Sequence, residues 1–228
     1  MKYFTSAIIA ASGNSTRMGL SVPKQLLILD EKPVLAHTLE AFEKAEVIDE
    51  IVVVCRETDK EQIKAIADAF SKVKAVVCGG ETRADSVRNG VQACSENAQF
   101  YAIHDGARPL VTVDDITSVV TKAYQTNAAT LGTYVTDTIK VVDEREVIMS
   151  TPVRSTLRAV QTPQVFEREL YKKAIEYTVC NKLSVTDDCS MVEALGEKVE
   201  VVISNGENIK LTTKEDLVFA QAILDSRK

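Results

Sequence analysis

A three-layer α/β fold, with a mostly parallel twisted sheet between helices, is what this sequence predicts. Three observations carry that prediction. Short β-branched runs alternate with longer amphipathic segments. The runs are apolar almost end to end, as in sheets covered on both faces. Several of them stop at glycine and small polar residues, and ligands of open parallel sheets bind beyond the carboxyl ends of the strands.

The candidate strands are "SAIIAA" (6–11), "EIVVVCR" (50–56), "KAVVCGG" (74–80), "FYAIHD" (100–105) and "AATLGTYV" (128–135). Between the first four lie "VLAHTLEAFEKA", "KEQIKAIADAF" and "RADSVRNGVQACSEN", with apolar residues at helical spacing. Ile63, Ile66, Ala67 and Phe70 form one such stripe. Further on, the pattern predicts a helix over about 167–178, a strand "KVEVVIS" and a last helix from about 213. Thr213 and Asp216 give that helix a capping-box start. Residues 137–155, "DTIKVVDEREVIMSTPVRS", break the alternation and read as two short strands around the charged turn "DERE". An isolated hairpin is marginal in water, so this arm needs something to pack on, and a second copy of the chain is the economical partner. With no internal repeat or low-complexity linker, residues 1–228 read as a single domain with the 137–155 arm inserted in it.

Composition narrows the function. The 228 residues carry 27 Lys and Arg against 33 Asp and Glu, a formal charge of −6. Sequence-independent binding of nucleic acid needs a surplus of cations, so that class is set aside. The N-terminal apolar run is too short for a bilayer span and lacks a signal-peptide layout. Cys55, Cys78, Cys94, Cys180 and Cys189 are odd in number and contain no C-x-x-C pair. They read as reduced thiols, and the chain as a cytoplasmic protein without a membrane.

Four strand ends carry "SGNSTR", "GGETRADS", "HDGARP" and "TDT", and the fold predicts that these loops face one another. The first is the most informative. It fits neither a Walker A loop, which would need Gly where Met18 stands, nor a dinucleotide fingerprint, which would need Gly in place of Ser15. What remains is a small-residue turn at Gly13 whose amides can cradle an anion, with Arg17 and Lys24 as cations beside it. An ordinary strand-to-helix loop with two solvated cations is the alternative. Asp105 reads either as a turn cap or as a ligand of a divalent ion held by phosphates. His104 is set aside as a general base, since a lone His beside a strand end is more often structural. Arg108 reads as local support for its loop, and Thr186, Asp187 and Asp188 as a helix cap.

The ordered set "AASGNSTRMG…PKQ", "GGETRADSV", "HDGARP", "DTIK", "TPQVF", "VTDD" and "NIKLTT" spans almost the whole chain. It resembles the sugar-phosphate nucleotidyltransferases, and more closely the 2-C-methyl-D-erythritol 4-phosphate cytidylyltransferase family. The resemblance implies a Rossmann-like fold, transfer of CMP from CTP to a polyol phosphate with loss of pyrophosphate, and a need for Mg²⁺. It implies nucleotide contacts from Ala10, Ala11, Ser12 and Gly13, and cytidine recognition by Gly80, Glu81, Arg83 and Ser86. Arg17, Lys24 and Lys210 match the cations on the phosphates. Asp105 and Ala107 match positions beside ribose, metal and substrate. Thr138, Arg154 and Thr162 match positions that hold the acceptor. Thr138 and Arg154 lie on the arm, which in the family crosses to a second subunit, so a homodimer is implied. Ser12 stands where Ala or Gly is common, and Gly106 where Ala is frequent. A ribitol-5-phosphate cytidylyltransferase and a non-catalytic nucleotide-binding module remain as alternatives.

The implied chemistry suits the composition. The attacking phosphate is already an oxyanion, so no side chain has to remove its proton. The difficulty is bringing one anion onto another, which calls for positioning and positive charge.

Overall fold

The computed structural model describes residues 3–13 and 22–228. Its strands are β1 (Thr5–Ala10), β2 (Ile28–Leu29), β3 (Lys32–Pro33), β4 (Glu50–Cys55), β5 (Val73–Cys78) and β6 (Phe100–Asp105), followed by β7 (Ala128–Tyr134), β8 (Val141–Val142), β9 (Ile148–Ser150), β10 (Arg158–Glu167) and β11 (Glu200–Ile203). The helices are α1 (Val34–Lys44), α2 (Lys60–Ala67), α3 (Arg83–Ala93), α4 (Val113–Thr126), α5 (Arg168–Cys180), α6 (Asp188–Ala194) and α7 (Lys214–Ser226).

Seven strands form one sheet in the order β11-β7-β10-β6-β1-β4-β5. Every adjacent pair is parallel except those of β10, which runs antiparallel to both β6 and β7. From β1 the chain builds outward through β4 to β5, then returns to place β6 on the other flank of β1. That reversal is a topological switch point, where strand ends part to leave a crevice. Ala10 and Asp105, the last residues of β1 and β6, are partners in register there.

The sheet is covered on both faces, and the alternation of side chains decides which face each residue feeds. Ala7 and Ile9 of β1 join a core with Leu35, Leu39 and Phe42 of α1, Ile63 of α2 and Ile116 of α4. Ile8, between them, joins the opposite core with Val87 of α3, Tyr171 of α5 and Val192 of α6. α3 approaches the sheet closely at Gly90, where an added β-carbon would lie 2.5 Å from Ile8 Cγ2 and 2.8 Å from Val54 Cγ2. A smaller cluster seats α7 against the β2–β3 hairpin through Leu29, Leu211 and Ala220.

The short β2 and β3, β10 and α4 are not announced by the sequence pattern. β10 contains Pro163, which cannot donate to a ladder and normally argues against a central strand. The structure accommodates it where the register with β7 is interrupted, between Val160 and Gln164. α4 carries a regular buried stripe of Ile116, Val119, Val120 and Ala123 and a capping box from Thr112 and Asp115.

The remaining elements follow the sequence closely. β8 and β9 pair antiparallel as a separate two-stranded sheet around the "DERE" turn. Asp187 caps α6 by accepting from Ser190 N. The Asp216 carboxylate accepts from the backbone N–H groups of Thr212 and Thr213 at the start of α7. Among the described residues, no helix is long and apolar enough to cross a membrane.

Candidate active site

Three strand ends and one distant loop enclose a cleft of about 210 Å³. β1 brings Ala10, Ser12 and Gly13, the β5–α3 turn brings Gly80, Glu81, Arg83 and Ser86, and β6 brings Asp105 and Ala107. Thr82, Lys24, Gln25 and Lys210 complete the lining. The turn before α3 is held by a capping box, in which Thr82 Oγ1 accepts from Asp85 N and the Asp85 carboxylate accepts from Thr82 N. The glycine turn, the polar helix start and the loop that lines the cleft are therefore the same structure.

Asp105 is the electrostatic centre. Lys210 Nζ stands 2.8 Å from its carboxylate, and Arg83 Nε and Arg108 Nε each stand 3.6 Å away. Burial alone would raise the pKa of this carboxyl group. Lys210 first, then Arg83 and Arg108, outweigh burial and hold it well below the usual carboxylate range. Arg83 bridges to a second carboxylate, with one guanidinium nitrogen 2.7 Å from Asp188. Asp188 is fully buried and also accepts from the Tyr171 hydroxyl at 2.6 Å. Burial works against the charge on Arg83, but Asp188 and then Asp105 more than offset it and move its pKa upward.

The neighbours of Lys210 fix its backbone. Asn208, fully buried, donates to Thr162 O at 2.8 Å, and Arg108 donates to Asn208 O at 2.8 Å. Leu211 N donates to Ala107 O at 2.9 Å, and Lys24 Nζ donates to Leu211 O at 3.0 Å. Two cations from opposite ends of the chain are thereby tied to one loop.

His104 plays the structural part expected of it. Its Nε2 lies 3.2 Å from Arg108 O, a carbonyl that only accepts, so the proton sits on Nε2. Nδ1 then accepts from Thr162 Oγ1 at 3.0 Å, and Thr162 Oγ1 itself accepts from Asp105 N at 3.1 Å. Burial pushes the imidazole pKa down to about 3, so the ring is neutral near pH 7.

A family model described as 2-C-methyl-D-erythritol 4-phosphate cytidylyltransferase (IspD) matches residues 5–226. The chain belongs to this cytidylyltransferase family. It is 43% identical to the enzyme of that name from Desulforamulus reducens over 224 residues, 97% of this chain and 96% of the relative. The counterpart from Caldanaerobacter subterraneus subsp. tengcongensis is 44% identical over 96% of this chain and 98% of its own length. The crystal structure of 4-diphosphocytidyl-2C-methyl-D-erythritol synthase from Anaerococcus prevotii superposes with a TM-score of 0.89 at 30% identity, covering 98% of this chain and 97% of that one.

A cytidylyltransferase must hold two anionic substrates side by side, and a second cleft adjoins the first. It is lined by Gln161, Thr162, Gln164, Thr186 and Asp187, and it shares Arg83, Asp105 and Lys210 with the first cleft. Of these residues, sequence reasoning singled out Thr162 and the Thr186–Asp188 cap but gave no role to Gln161, Gln164 or Gln25. Gln25 is 1% exposed, and its Oε1 has no hydrogen-bond partner among the described residues. The motif "PKQ" placed it beside Lys24 and was the one available signal.

Not every expected residue joins the clefts. Ala11 turns into the core, and its N–H is spent on Val54 O at 2.7 Å. The "TDT" loop, expected to face the other three strand ends, does not line either cleft. β10 lies between β6 and β7, and beyond Tyr134 the chain leaves the sheet for the β8–β9 arm. There Arg154 donates to Thr138 Oγ1 at 2.8 Å, both side chains being exposed. Arg17 lies outside the described residues.

Proposed function

We infer that the chain transfers the cytidylyl group of CTP to 2-C-methyl-D-erythritol 4-phosphate, releasing pyrophosphate. The observation that carries this reading is the convergence of Lys24, Arg83 and Lys210 on a glycine-edged cleft beside one buried carboxylate. The nucleotide occupies that cleft and the acceptor the adjoining one, so that Arg83, Asp105 and Lys210 stand between them. Lys24 and Lys210 oppose the charge that builds on the phosphates, and Arg17 adds a further cation by its match to the family pattern. No side chain is needed as a base, because the attacking oxygen is ionised near pH 7.

The donor set also bears on the divalent ion. Among the described residues no cluster of three His, Cys, Asp or Glu side chains could hold one. Asp105 is a single carboxylate already faced by three cations. That environment fits Mg²⁺ only when the triphosphate supplies most of its ligands, the usual arrangement for this ion. Bound there, Mg²⁺ would neutralise phosphate charge and help orient the groups that exchange.

The arm supports a homodimer. Val147, Ile148, Met149 and Val153 are all more than half exposed. An apolar surface of this kind on a two-stranded hairpin fits burial against a second copy. Thr138 and Arg154 would then reach the partner's acceptor cleft. The five free cysteines fit a cytoplasmic setting.

The test is CTP-dependent pyrophosphate release with methylerythritol 4-phosphate and, separately, ribitol 5-phosphate. Release with the first alone supports the reading. Release only with ribitol 5-phosphate reassigns the acceptor, and tight CTP binding without release reduces the chain to a nucleotide-binding module.

A further inference from the structure

Arg83 stands between two carboxylates and closes on only one of them. One guanidinium nitrogen lies 2.7 Å from Asp188 Oδ2, whereas Nε lies 3.6 Å from Asp105 Oδ1, outside hydrogen-bond distance. Lys210 closes on the other oxygen of Asp105, Oδ2, at 2.8 Å. A shift of about 0.7 Å would bring Arg83 into a full bond with Oδ1.

What keeps it away is built from fixed parts. Asp188 is fully buried, and Arg83 is its one ion-pair partner among the described residues. A buried carboxylate stripped of its cation is costly, so the pair holds firmly. Tyr171, also fully buried, donates to Asp188 Oδ1 at 2.6 Å and leaves Oδ2 to face Arg83. The Tyr171 ring stacks on Phe166, with centroids 5.0 Å and planes 7° apart, which fixes the hydroxyl. Gln164 Oε1 accepts from Asp188 N at 3.0 Å and from Cys189 N at 3.1 Å, so the start of α6 is tied to β10. Arg83 lines both clefts, and the two side chains that hold it line neither.

We propose that Asp188 is a positioning residue: it draws Arg83 away from Asp105 and so keeps Oδ1 of that carboxylate open to the divalent ion that arrives with the nucleotide. The proposal rests on the reading that the cleft takes CTP with Mg²⁺. Without the Asp188 charge, Arg83 turns to the carboxylate that remains, and both oxygens of Asp105 are engaged by cationic side chains.

The test is the dissociation constant of CTP in excess EDTA and in saturating Mn²⁺, whose ratio measures how much the ion adds to nucleotide binding. In wild type, Mn²⁺ should tighten binding. Asp188→Asn keeps the shape of the side chain and the acceptor for Tyr171 but removes the charge. It should cut the gain from Mn²⁺ by about tenfold, the scale of losing the support of a metal ligand. Tyr171→Phe removes a hydrogen bond to the same carboxylate and leaves its charge, so it should lower the melting temperature and keep the gain. Asp188→Asn combined with Arg83→Gln leaves no guanidinium to close on Asp105. This double variant should recover the gain, even with weaker CTP binding under both conditions. An unchanged gain in Asp188→Asn, an equal loss in Tyr171→Phe, or a double variant as poor as the single one overturns the proposal. Absence of CTP binding, or of any Mn²⁺ effect, in wild type would instead defeat the reading of the cleft itself.

Discussion

Lys210 Nζ lies 2.8 Å from the carboxylate of Asp105, and two arginines approach the same group at 3.6 Å. One negative charge ringed by three positive ones repels a bare divalent cation. Titration calorimetry with Mn²⁺ alone should show no binding at Asp105 in the low millimolar range. With CTP present, binding should appear, and Asp105→Asn should weaken it by about tenfold or more, the usual penalty for losing a carboxylate ligand or its support. Tight Mn²⁺ binding to the nucleotide-free chain that Asp105→Asn abolishes would contradict this.

Gln25 gives a test that separates folding from function. Its buried Oε1 makes no hydrogen bond among the described residues, an arrangement that costs folding free energy. Gln25→Leu should leave stability unchanged or raise it by about 1 kcal/mol. CTP affinity should fall, because the side chain lines the cleft and its Oε1 has no hydrogen-bond partner among the described residues. Denaturant melts and equilibrium binding on the same protein decide it, and the idea is lost if Gln25→Leu destabilises the fold while binding CTP normally.

His104 makes the fold, but not the chemistry, sensitive to mild acid. Its folded-state pKa of about 3 lies below the ordinary histidine value near 6.5, so the unfolded chain takes up the proton first. Stability is fully present above pH 6.5 and is lost as pH falls, with a slope approaching about 1.4 kcal/mol per pH unit. Carboxylates held low, such as Glu40 at about 2, add their own loss only nearer their unfolded values. Urea melts between pH 7 and 5 should therefore show a slope that His104→Gln removes. A slope that survives the substitution would place its origin elsewhere.

The fold was legible wherever local pattern and burial agree. The runs that became β1, β4 and β6 are buried on both faces, and β5 keeps the same apolar pattern as a half-buried edge strand, so none of them needs a partner to be recognised. β10 escaped because Pro163 reads as a breaker, and only the register gap opposite β7 explains its presence in the middle of a sheet. In the site, motif order was enough to bring Ser12, Lys24, Gly80, Arg83, Asp105 and Lys210 to one cleft. The roles of Asp188, Asn208 and Gln25 were hidden, since each depends on contacts between separate elements of the fold or on an unmade bond. Thr138 and Arg154 were legible as residues of the arm, and the hydrogen bond from Arg154 to Thr138 Oγ1 is what the structure adds.

Removal of the Lys24 ammonium tests the electrostatic account most directly. Lys24→Ala deletes a buried cation of the cleft and the bond to Leu211 O, which should cost about 1–2 kcal/mol of stability and leave the chain folded at 25 °C. Turnover with CTP and methylerythritol 4-phosphate should fall far more, by about 100- to 1,000-fold, if the charge acts on the transition state. A folded Lys24→Ala protein that turns over at the wild-type rate would contradict the account.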